Sequence, residues 1–516
     1  MYPRPVPFRR QSRTALVTAG ALTALTLFLG GCAAASGIVP DDGDSASASQ
    51  QAAFPELYGQ TIDWHRCGGD AETAAQLEAA LRDAGGRIDG MRCAQVTAPL
   101  DWTDTSTGAT IKLGIVHIPA TGDAAPIGTL LSNPGGPGAS GIEYTIGMAV
   151  SPSFATVHER YDLLGFDPRG MSASTPIECD AESSILELNL ARCAEADPLA
   201  ASMGSAQVAR DMDLLRHLVG DSQLHYTGFS YGTVIGASYV TLFPERVGRV
   251  MLDSAWPSNW SSPLGTYQQQ EAIVASTVEM LERCGELYHV DRCPAEGEAS
   301  LLALLTELDA TPLIASDGTA LTGSMLRGYL TSALYQLQAG RTDALDVAGR
   351  AVAGEVSAID ALTAAMRGGG SRVGLSGMIV RCLSSPRDPD VLGVYRYIEG
   401  HGLPVPLGGP EITDDSVKPW LDLACDALPD SGEDHLRFSN ASEHPVLVFG
   451  VTGDHATPFA GAQQLVDELG HATLVTVESS GHIATFNGRS SCADDIAIAY
   501  LLRGEMPAAG AVCASG

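Results

Sequence analysis

Gly228-Phe229-Ser230-Tyr231-Gly232 is the stretch that decides the fold. It matches the pattern Gly-x-Ser-x-Gly, in which a serine stands on a tight turn between a strand and a helix. Glycines are needed there because side chains at their positions would clash. A strand is predicted at 225–228, before the turn, and a helix at 234–243, after it. The sequence therefore predicts that Ser230 is a nucleophile at the end of a strand.

Strands and helices alternate on both sides of this turn. Besides 225–228, the predicted strands cover residues 96–100, 111–118, 128–132, 161–166, 247–252, 445–451 and 472–477. A further helix is predicted at 205–219, where Val208, Met212 and Leu215 repeat at helical spacing. This alternation is typical of the α/β class, with a mostly parallel, doubly wound sheet.

Residues 256–438 are predicted to be mostly helical, with little strand pattern. A structureless loop of that length would be implausible inside a domain. We therefore expect a large helical cap inserted between two late strands. The first part of the core then covers residues 57–255, and the C-terminal part covers 439–516.

Residues 1–31 have the features of a bacterial targeting segment, with a basic start and an apolar run at 15–29. That run is too short for a comfortable membrane span. It ends in Leu29-Gly30-Gly31-Cys32, which resembles a lipobox whose cysteine is lipidated. The alternative is an ordinary signal peptide cut within Ala33-Ala34-Ala35. Residues 32–56 are predicted to form a flexible tether. We expect an exported protein, anchored by lipid at Cys32 or secreted.

The remaining ten cysteines are an even number, which suits a disulfide framework in an oxidising compartment. No pair has the spacing of metal ligands, so we predict neither a metal site nor a cofactor. Connectivity does not strictly follow from sequence, but sequence neighbours suggest five local disulfides. The pairs are Cys67/Cys93, Cys179/Cys193, Cys284/Cys293, Cys382/Cys425 and Cys492/Cys513.

The composition and charge limit the classes of partner. The chain has 516 residues, of which 45% are hydrophobic, and this suffices for a sizeable core. Its net charge of −31 repels phosphate backbones and anionic membranes, which argues against nucleic-acid binding. Such a charge could favour cationic substrates, although solubility outside the cell is the simpler interpretation.

Two residues downstream of Ser230 are candidates for a catalytic acid and base. Asp454 follows the predicted strand 445–451, and His482 follows the strand 472–477. Both positions are at carboxyl ends of strands, where open α/β sheets place their ligands. Asp253, after the strand 247–252, is the alternative acid.

His455 is the alternative base, but the side chains of adjacent residues point apart, so Asp454 could not readily orient it. If His455 is not the base, we expect it to face solvent.

These residue types fit acyl transfer. A serine hydroxyl is a poor nucleophile at neutral pH, so His482 would have to take its proton. Asp454 would hold the imidazole in the required tautomer. The developing oxyanion needs backbone N–H donors, and we assign these to Tyr231 and to Gly136 in the turn Asn133–Gly138.

Several motifs together resemble the α/β-hydrolase peptidases of the proline iminopeptidase and tripeptidyl aminopeptidase group, above all the secreted actinobacterial tripeptidyl aminopeptidases. The stretch from about Trp420 to Cys513 is similar to the C-terminal region of those enzymes. The motifs are Pro134-Gly135-Gly136-Pro137-Gly138, Asp167-Pro168-Arg169-Gly170, Gly228–Gly232, Gly453-Asp454 and Gly481-His482.

Two positions depart from the group's pattern. Proline iminopeptidases have histidine where Pro134 stands, which favours the tripeptidyl branch. Ser172 replaces a usual glycine, which we interpret as a turn variant. We expect Arg169 to form a structural ion pair.

The resemblance implies a serine exopeptidase that releases short peptides, in particular tripeptides, from free N-termini. An esterase or lipase with the same triad is the alternative, since a fold does not fix the acyl substrate. Intact Ser230, Asp454 and His482 disfavour an inactive binding lipoprotein. A free ammonium group would need carboxylates near the site. The cap offers several of them on one predicted helix: Glu271, Glu279, Glu282 and Glu286.

Overall fold

A computed structural model of the chain describes residues 45–68, 90–179, 186–368, 374–384, 390–410, 425–428 and 435–514, with Ala79 and Ser183. The predicted targeting segment, Cys32 and Trp420 lie outside these residues. Within the described ranges, no helix combines the length and the apolar character needed to cross a membrane.

Eleven strands are present in the described chain, and nine of them form one central sheet. The strands are β1 (Arg92–Pro99), β2 (Thr110–Ile118), β3 (Thr129–Asn133), β4 (Asp162–Phe166), β5 (Leu224–Phe229), β6 (Val247–Asp253), β7 (Leu313–Ile314), β8 (Ala320–Leu321), β9 (Val446–Gly453), β10 (Ala472–Ser480) and β11 (Val512–Ala514). The sheet order is β1-β2-β4-β3-β5-β6-β9-β10-β11. The β1–β2 and β2–β4 pairs are antiparallel, whereas all later pairs are parallel. The predicted fold class is confirmed.

Helices cover both faces of the sheet. Those before the cap are α1 (Ala46–Ala53), α2 (Pro55–Tyr58), α3 (Gly141–Val150), α4 (Ala155–His158), α5 (Leu186–Ala196), α6 (Ser205–Leu218) and α7 (Tyr231–Leu242). Alternate strand residues point to opposite faces, so each buried strand contributes to two cores. In β3, Leu131 packs in the core beneath α6 and α7, whereas Leu130 packs in the opposite core with α3.

The cap lies in sequence between β6 and β9, which are parallel neighbours with Met251 opposite Leu447. Its core contains leucines such as Leu305 and Leu326, and it includes the short β7–β8 hairpin. The domain boundaries given above remain predictions. Cap helices are α8 (Pro263–Glu282), α9 (Glu298–Ala310), α10 (Gly323–Ala333), α11 (Gln338–Val352), α12 (Val356–Gly368), α13 (Leu375–Leu383) and α14 (Val391–His401), followed in the core by α15 (Phe459–Leu469) and α16 (Ser491–Arg503).

The predicted flexible tether is wrong for its last residues, because α1 is a packed helix. Ser45 caps it by accepting a hydrogen bond from the N–H of Ala48 (3.2 Å). Ser47 and Gln50 are buried, and the Ser47 hydroxyl donates to Asp213 of α6 (2.9 Å). These contacts are polar, so the segment shows no apolar periodicity that would indicate a helix.

All five predicted cysteine pairs lie at disulfide distance. Cys67 is joined to Cys93, Cys179 to Cys193, Cys284 to Cys293, Cys382 to Cys425 and Cys492 to Cys513. Such a set is typical of proteins that fold in an oxidising compartment, which supports export.

Candidate active site

Ser230 lies on the turn between β5 and α7, with φ 54° and ψ −125°. A non-glycine residue rarely adopts positive φ, and such residues cluster at functional sites. A Cβ built on Gly228 would collide with the carbonyl oxygen of Gly232. One built on Gly232 would lie 2.5 Å from the oxygen of Asn133. Both glycines of the motif are therefore required by close backbone contacts.

The glycine turn after β3 packs directly against Ser230. A Cβ built on Gly135 would lie 2.8 Å from both the Cβ of Ser230 and the N of Tyr231. The N–H of Gly135 donates to Oδ1 of Asn133 (2.9 Å), whereas that of Gly136 has no acceptor in the described part of the chain. Tyr231 is the first residue of α7. The two predicted oxyanion donors thus belong to segments that meet at the serine.

Asp454 and His482 form a buried pair at the carboxyl ends of β9 and β10. Nδ1 of His482 lies 3.0 Å from each carboxylate oxygen of Asp454. The hydroxyl of Ser230 makes no hydrogen bond to His482 in the described structure. Catalytic contacts of this kind are often long in unliganded enzymes and tighten when substrate binds. The structure therefore joins the predicted acid and base directly.

The surroundings of Asp454 keep it ionised. Its Oδ1 accepts from the N–H groups of Ala456 and Thr457 (both 2.9 Å), and its Oδ2 accepts from the Thr457 hydroxyl (2.7 Å). Burial alone would raise the pKa of Asp454. The charge and hydrogen bond of His482, helped by His455 and the backbone of Thr457, outweigh burial and hold the pKa at about 2.

Asp253, the alternative acid, faces a different partner. Its carboxylate accepts from the N–H of Ala484 (2.9 Å) and from the N–H and hydroxyl of Thr485 (2.8 and 2.6 Å). Burial raises its pKa despite these bonds. Asp253 thus anchors the chain just after His482 rather than bonding to the imidazole.

His455 does not face solvent, so that expectation is wrong. Its side chain is fully buried, and neither ring nitrogen has a hydrogen-bond partner in the described chain. Burial lowers its pKa to about 3, which keeps the ring neutral. The ring of Tyr335 from the cap packs edge-on against it, with centroids 4.5 Å apart.

A groove of about 820 Å³ runs past His482. It lies between the glycine turn, α3, the segment after His482 and the cap residue Tyr335. Tyr335 is 52% exposed, and its ring centroid is 5.8 Å from that of His482. Most of the larger side chains that line the groove are apolar, as is common for binding pockets. Among the described residues that line the groove, Glu143 at the start of α3 is the one carboxylate.

The chain is similar to two protein families and to several known hydrolases. Residues 128–282 match the family described as "alpha/beta hydrolase fold", and residues 415–513 match "TAP-like protein". The chain is 29% identical to "Serine protease Hip1" of Mycobacterium tuberculosis, with 96% of each chain covered. It is 26% identical to "Tripeptidyl aminopeptidase" of Streptomyces lividans, with 98% of each covered. It is also 27% identical to "Carboxylesterase B" of Mycobacterium tuberculosis, covering 96% of this chain and 98% of that protein.

The chain is a serine hydrolase of the α/β-hydrolase fold. Its Asp167-Pro168-Arg169-Gly170 motif contacts the segment that follows the glycine turn. Asp167 accepts from the Ser140 hydroxyl (2.6 Å) at the end of the glycine turn. Arg169 forms the expected ion pair, with two hydrogen bonds to Asp211 (2.7 and 2.8 Å). Ser172 has φ 43°, a left-handed backbone conformation that favours glycine.

The four cap carboxylates predicted above are not among the described residues that line the groove beside His482. Helix α8 ends at Glu282, so Glu286 lies beyond it, contrary to the prediction of one helix. Glu271 accepts from the hydroxyl of Tyr397 (3.2 Å), and Glu279 pairs with Arg283 (3.2 Å).

Four residues near the site were not identified from the sequence. Thr457 could have been found, because an aspartate that accepts from residues two and three positions later is a common turn pattern. No local pattern indicates the other three residues. The fold brings Tyr335 and Arg341 of the cap, and Arg489 of the loop before α16, to the segment of His482.

Proposed function

We propose that this serine hydrolase is an exopeptidase that releases short peptides, in particular tripeptides, from free N-termini. The observation that carries the proposal is the Asp454–His482 pair, which shares the carboxyl edge of the sheet with the strained turn of Ser230. The peptide substrate is supported by the peptidases among its relatives.

In the proposed mechanism, the ionised Asp454 accepts the Nδ1–H of His482, which leaves the lone pair on Nε2 free. Nε2 takes the proton of Ser230 as Oγ attacks the scissile carbonyl carbon. The N–H groups of Gly136 and Tyr231 stabilise the oxyanion. The C–N bond then breaks, His482 protonates the leaving amine, and an acyl-enzyme remains. Water, deprotonated by His482, then attacks the acyl carbon. The ester bond to Oγ of Ser230 breaks, His482 returns the proton to Oγ, and the short peptide leaves as a carboxylate.

A carboxylesterase is the second candidate, because the relative named "Carboxylesterase B" has an identity and a coverage similar to those of the peptidase relatives. The same triad would cleave an ester, with an alcohol leaving in place of the amine. For either activity we propose an exported enzyme, held at the membrane by lipid on Cys32 or secreted.

Turnover of tripeptide anilides and of matched carboxylic esters separates the two candidates. The proposal requires that kcat/KM for a tripeptide anilide exceed that for a mono-amino-acyl anilide. Ser230→Ala should lower kcat by several orders of magnitude and prevent labelling by a fluorophosphonate. The circular dichroism spectrum should stay unchanged. Ester turnover without anilide turnover would favour the esterase. Full activity of Ser230→Ala would overturn both.

A further inference from the structure

Two buried arginines meet behind the segment that carries His482. Arg341 comes from α11 of the cap and is 5% exposed, and Arg489 comes from the loop before α16 and is 9% exposed. Both guanidinium groups press on Gly481, where a built Cβ would collide with Nη2 of Arg341 and lie 2.9 Å from both terminal nitrogens of Arg489. Two cations are therefore near neighbours in a buried place.

In the part of the chain that the structure describes, all the hydrogen-bond acceptors of these two arginines are uncharged. Arg341 donates to the carbonyl oxygens of Leu334 (2.7 Å) and Gln336 (3.0 Å) and to the Ser480 hydroxyl (3.1 Å). It also contacts the hydroxyl of Tyr288 (3.4 Å). Arg489 donates to the carbonyl oxygens of Ser480, His482 (3.2 Å) and Ile483 (2.7 Å).

In the described chain, neither arginine forms an ion pair. Burial and the charge of Arg341 lower the pKa of Arg489, although Asp454 and Asp253 partly oppose this. Those two carboxylates already accept several hydrogen bonds each, so they act only from a distance. Buried cations without a bonded counter-ion are costly. By contrast, Arg169 is bonded by both oxygens of Asp211.

The two guanidinium groups border a cavity of about 710 Å³ between the cap and the ends of β9 and β10. A guanidinium has five N–H bonds. The hydrogen bonds given above use three of these N–H bonds on Arg489 and at most four on Arg341. Each arginine therefore keeps at least one N–H bond that could be donated to a ligand. Arg283 also lines this cavity, but Glu279 already pairs with it. The cavity is separate from the groove that Glu143 and Tyr335 line.

We propose that this cavity is an oxyanion-binding site in which Arg341 and Arg489 together hold one small oxyanion. Guanidinium groups suit such ligands because their paired N–H bonds match carboxylate and phosphate oxygens. The oxyanion can come free, as inorganic phosphate, or as the C-terminal carboxylate of a peptide. Where the proposed function holds, the bound oxyanion links the cap to the segment of His482 and raises turnover.

The test is equilibrium binding of inorganic phosphate to the whole protein by isothermal titration calorimetry at constant ionic strength. Wild type should bind one phosphate. Arg341→Gln should weaken binding by about 10-fold or more, since it loses a buried charged donor. Arg283→Gln, the matched control in the same cavity, should bind within a few-fold of wild type. A tripeptide with a free C-terminal carboxylate is then tested as a competitor of phosphate, beside the same tripeptide with a C-terminal amide. Competition by the carboxylate form alone identifies a peptide C-terminus as the source of the oxyanion.

Wild type that binds no phosphate, or Arg341→Gln that binds it equally well, would overturn the site. Should that variant fail to fold, crystals of wild type grown with selenate decide the question by anomalous scattering. A peak in contact with both guanidinium groups supports the proposal, and absence of that peak rejects it. None of these measurements uses turnover, so the oxyanion site and the proposed peptidase activity fail independently.

Discussion

Asp454 and His482 are 28 positions apart, yet both carboxylate oxygens lie 3.0 Å from Nδ1 of the imidazole. The contact arises because β9 and β10 are parallel neighbours, so the residues that follow them leave the same edge of the sheet. With its pKa held at about 2, Asp454 is ionised whenever the histidine can act as a base. The pair therefore fixes which ring nitrogen carries the proton.

Asp454→Asn should lower kcat by a factor of about 10⁴ with little change in structure. An asparagine can present its amide N–H to the ring and so favour the tautomer that leaves Nε2 protonated. Steady-state kinetics on a tripeptide anilide measures the effect, and circular dichroism checks the fold.

Asp253→Asn is the matched control for that variant. Since Asp253 bonds to Ala484 and Thr485, the main expected loss is thermal stability. If Asp253→Asn cost 10⁴ in kcat and Asp454→Asn did not, the assignment of the acid would be wrong.

Thr457→Val should reduce kcat without unfolding the protein. The hydroxyl donates to Oδ2 of Asp454 (2.7 Å), and a hydrogen bond to a charged group contributes about 1.5–3 kcal/mol. Without this hydrogen bond, the carboxylate of Asp454 should be less well oriented towards His482. We therefore expect kcat to drop by about 10-fold. Thr485→Val removes the equivalent bond to Asp253 and should alter melting temperature more than kcat. Equal kcat losses in the two variants would contradict a specific role for Thr457.

The sequence predicted the sheet because its strands are apolar runs bounded by turns, and because the serine turn has required glycines. It also placed Ser230, Asp454 and His482 at strand ends. Parallel topology brings such ends together. Local patterns thus contained the information for the core and for the candidate triad.

Contacts between distant segments could not be predicted in this way. The edge contact of Tyr335 with His455 depends on how the cap folds over the core, and no local pattern encodes it. Helix α1 was missed for a different reason, since Ser47 and Gln50 are buried through hydrogen bonds rather than apolar packing.

Cys32→Ala should move the protein from the membrane fraction to the medium. If lipid on Cys32 is the tether, removing the thiol removes the acyl chains that hold the protein in the bilayer. Fractionation followed by immunoblotting measures the distribution. A mutant that stays in the membrane fraction, or a wild type found only in the medium, would contradict lipid anchoring.

The last prediction concerns the free ammonium group of the substrate. Desolvating a cation in a closed cleft is costly unless a carboxylate faces it. Glu143 is the carboxylate among the described residues that line the groove beside His482. N-acetylation of a tripeptide anilide should therefore lower kcat/KM by about 10²-fold. Glu143→Gln should lower kcat/KM for the free substrate and leave that for the acetylated one unchanged. Glu279→Gln, which lies on the other cavity, should leave the ratio of kcat/KM for the free and acetylated substrates unchanged. Equal turnover of free and acetylated substrates by wild type would reject the aminopeptidase, since an endopeptidase or esterase has no need to recognise the ammonium group.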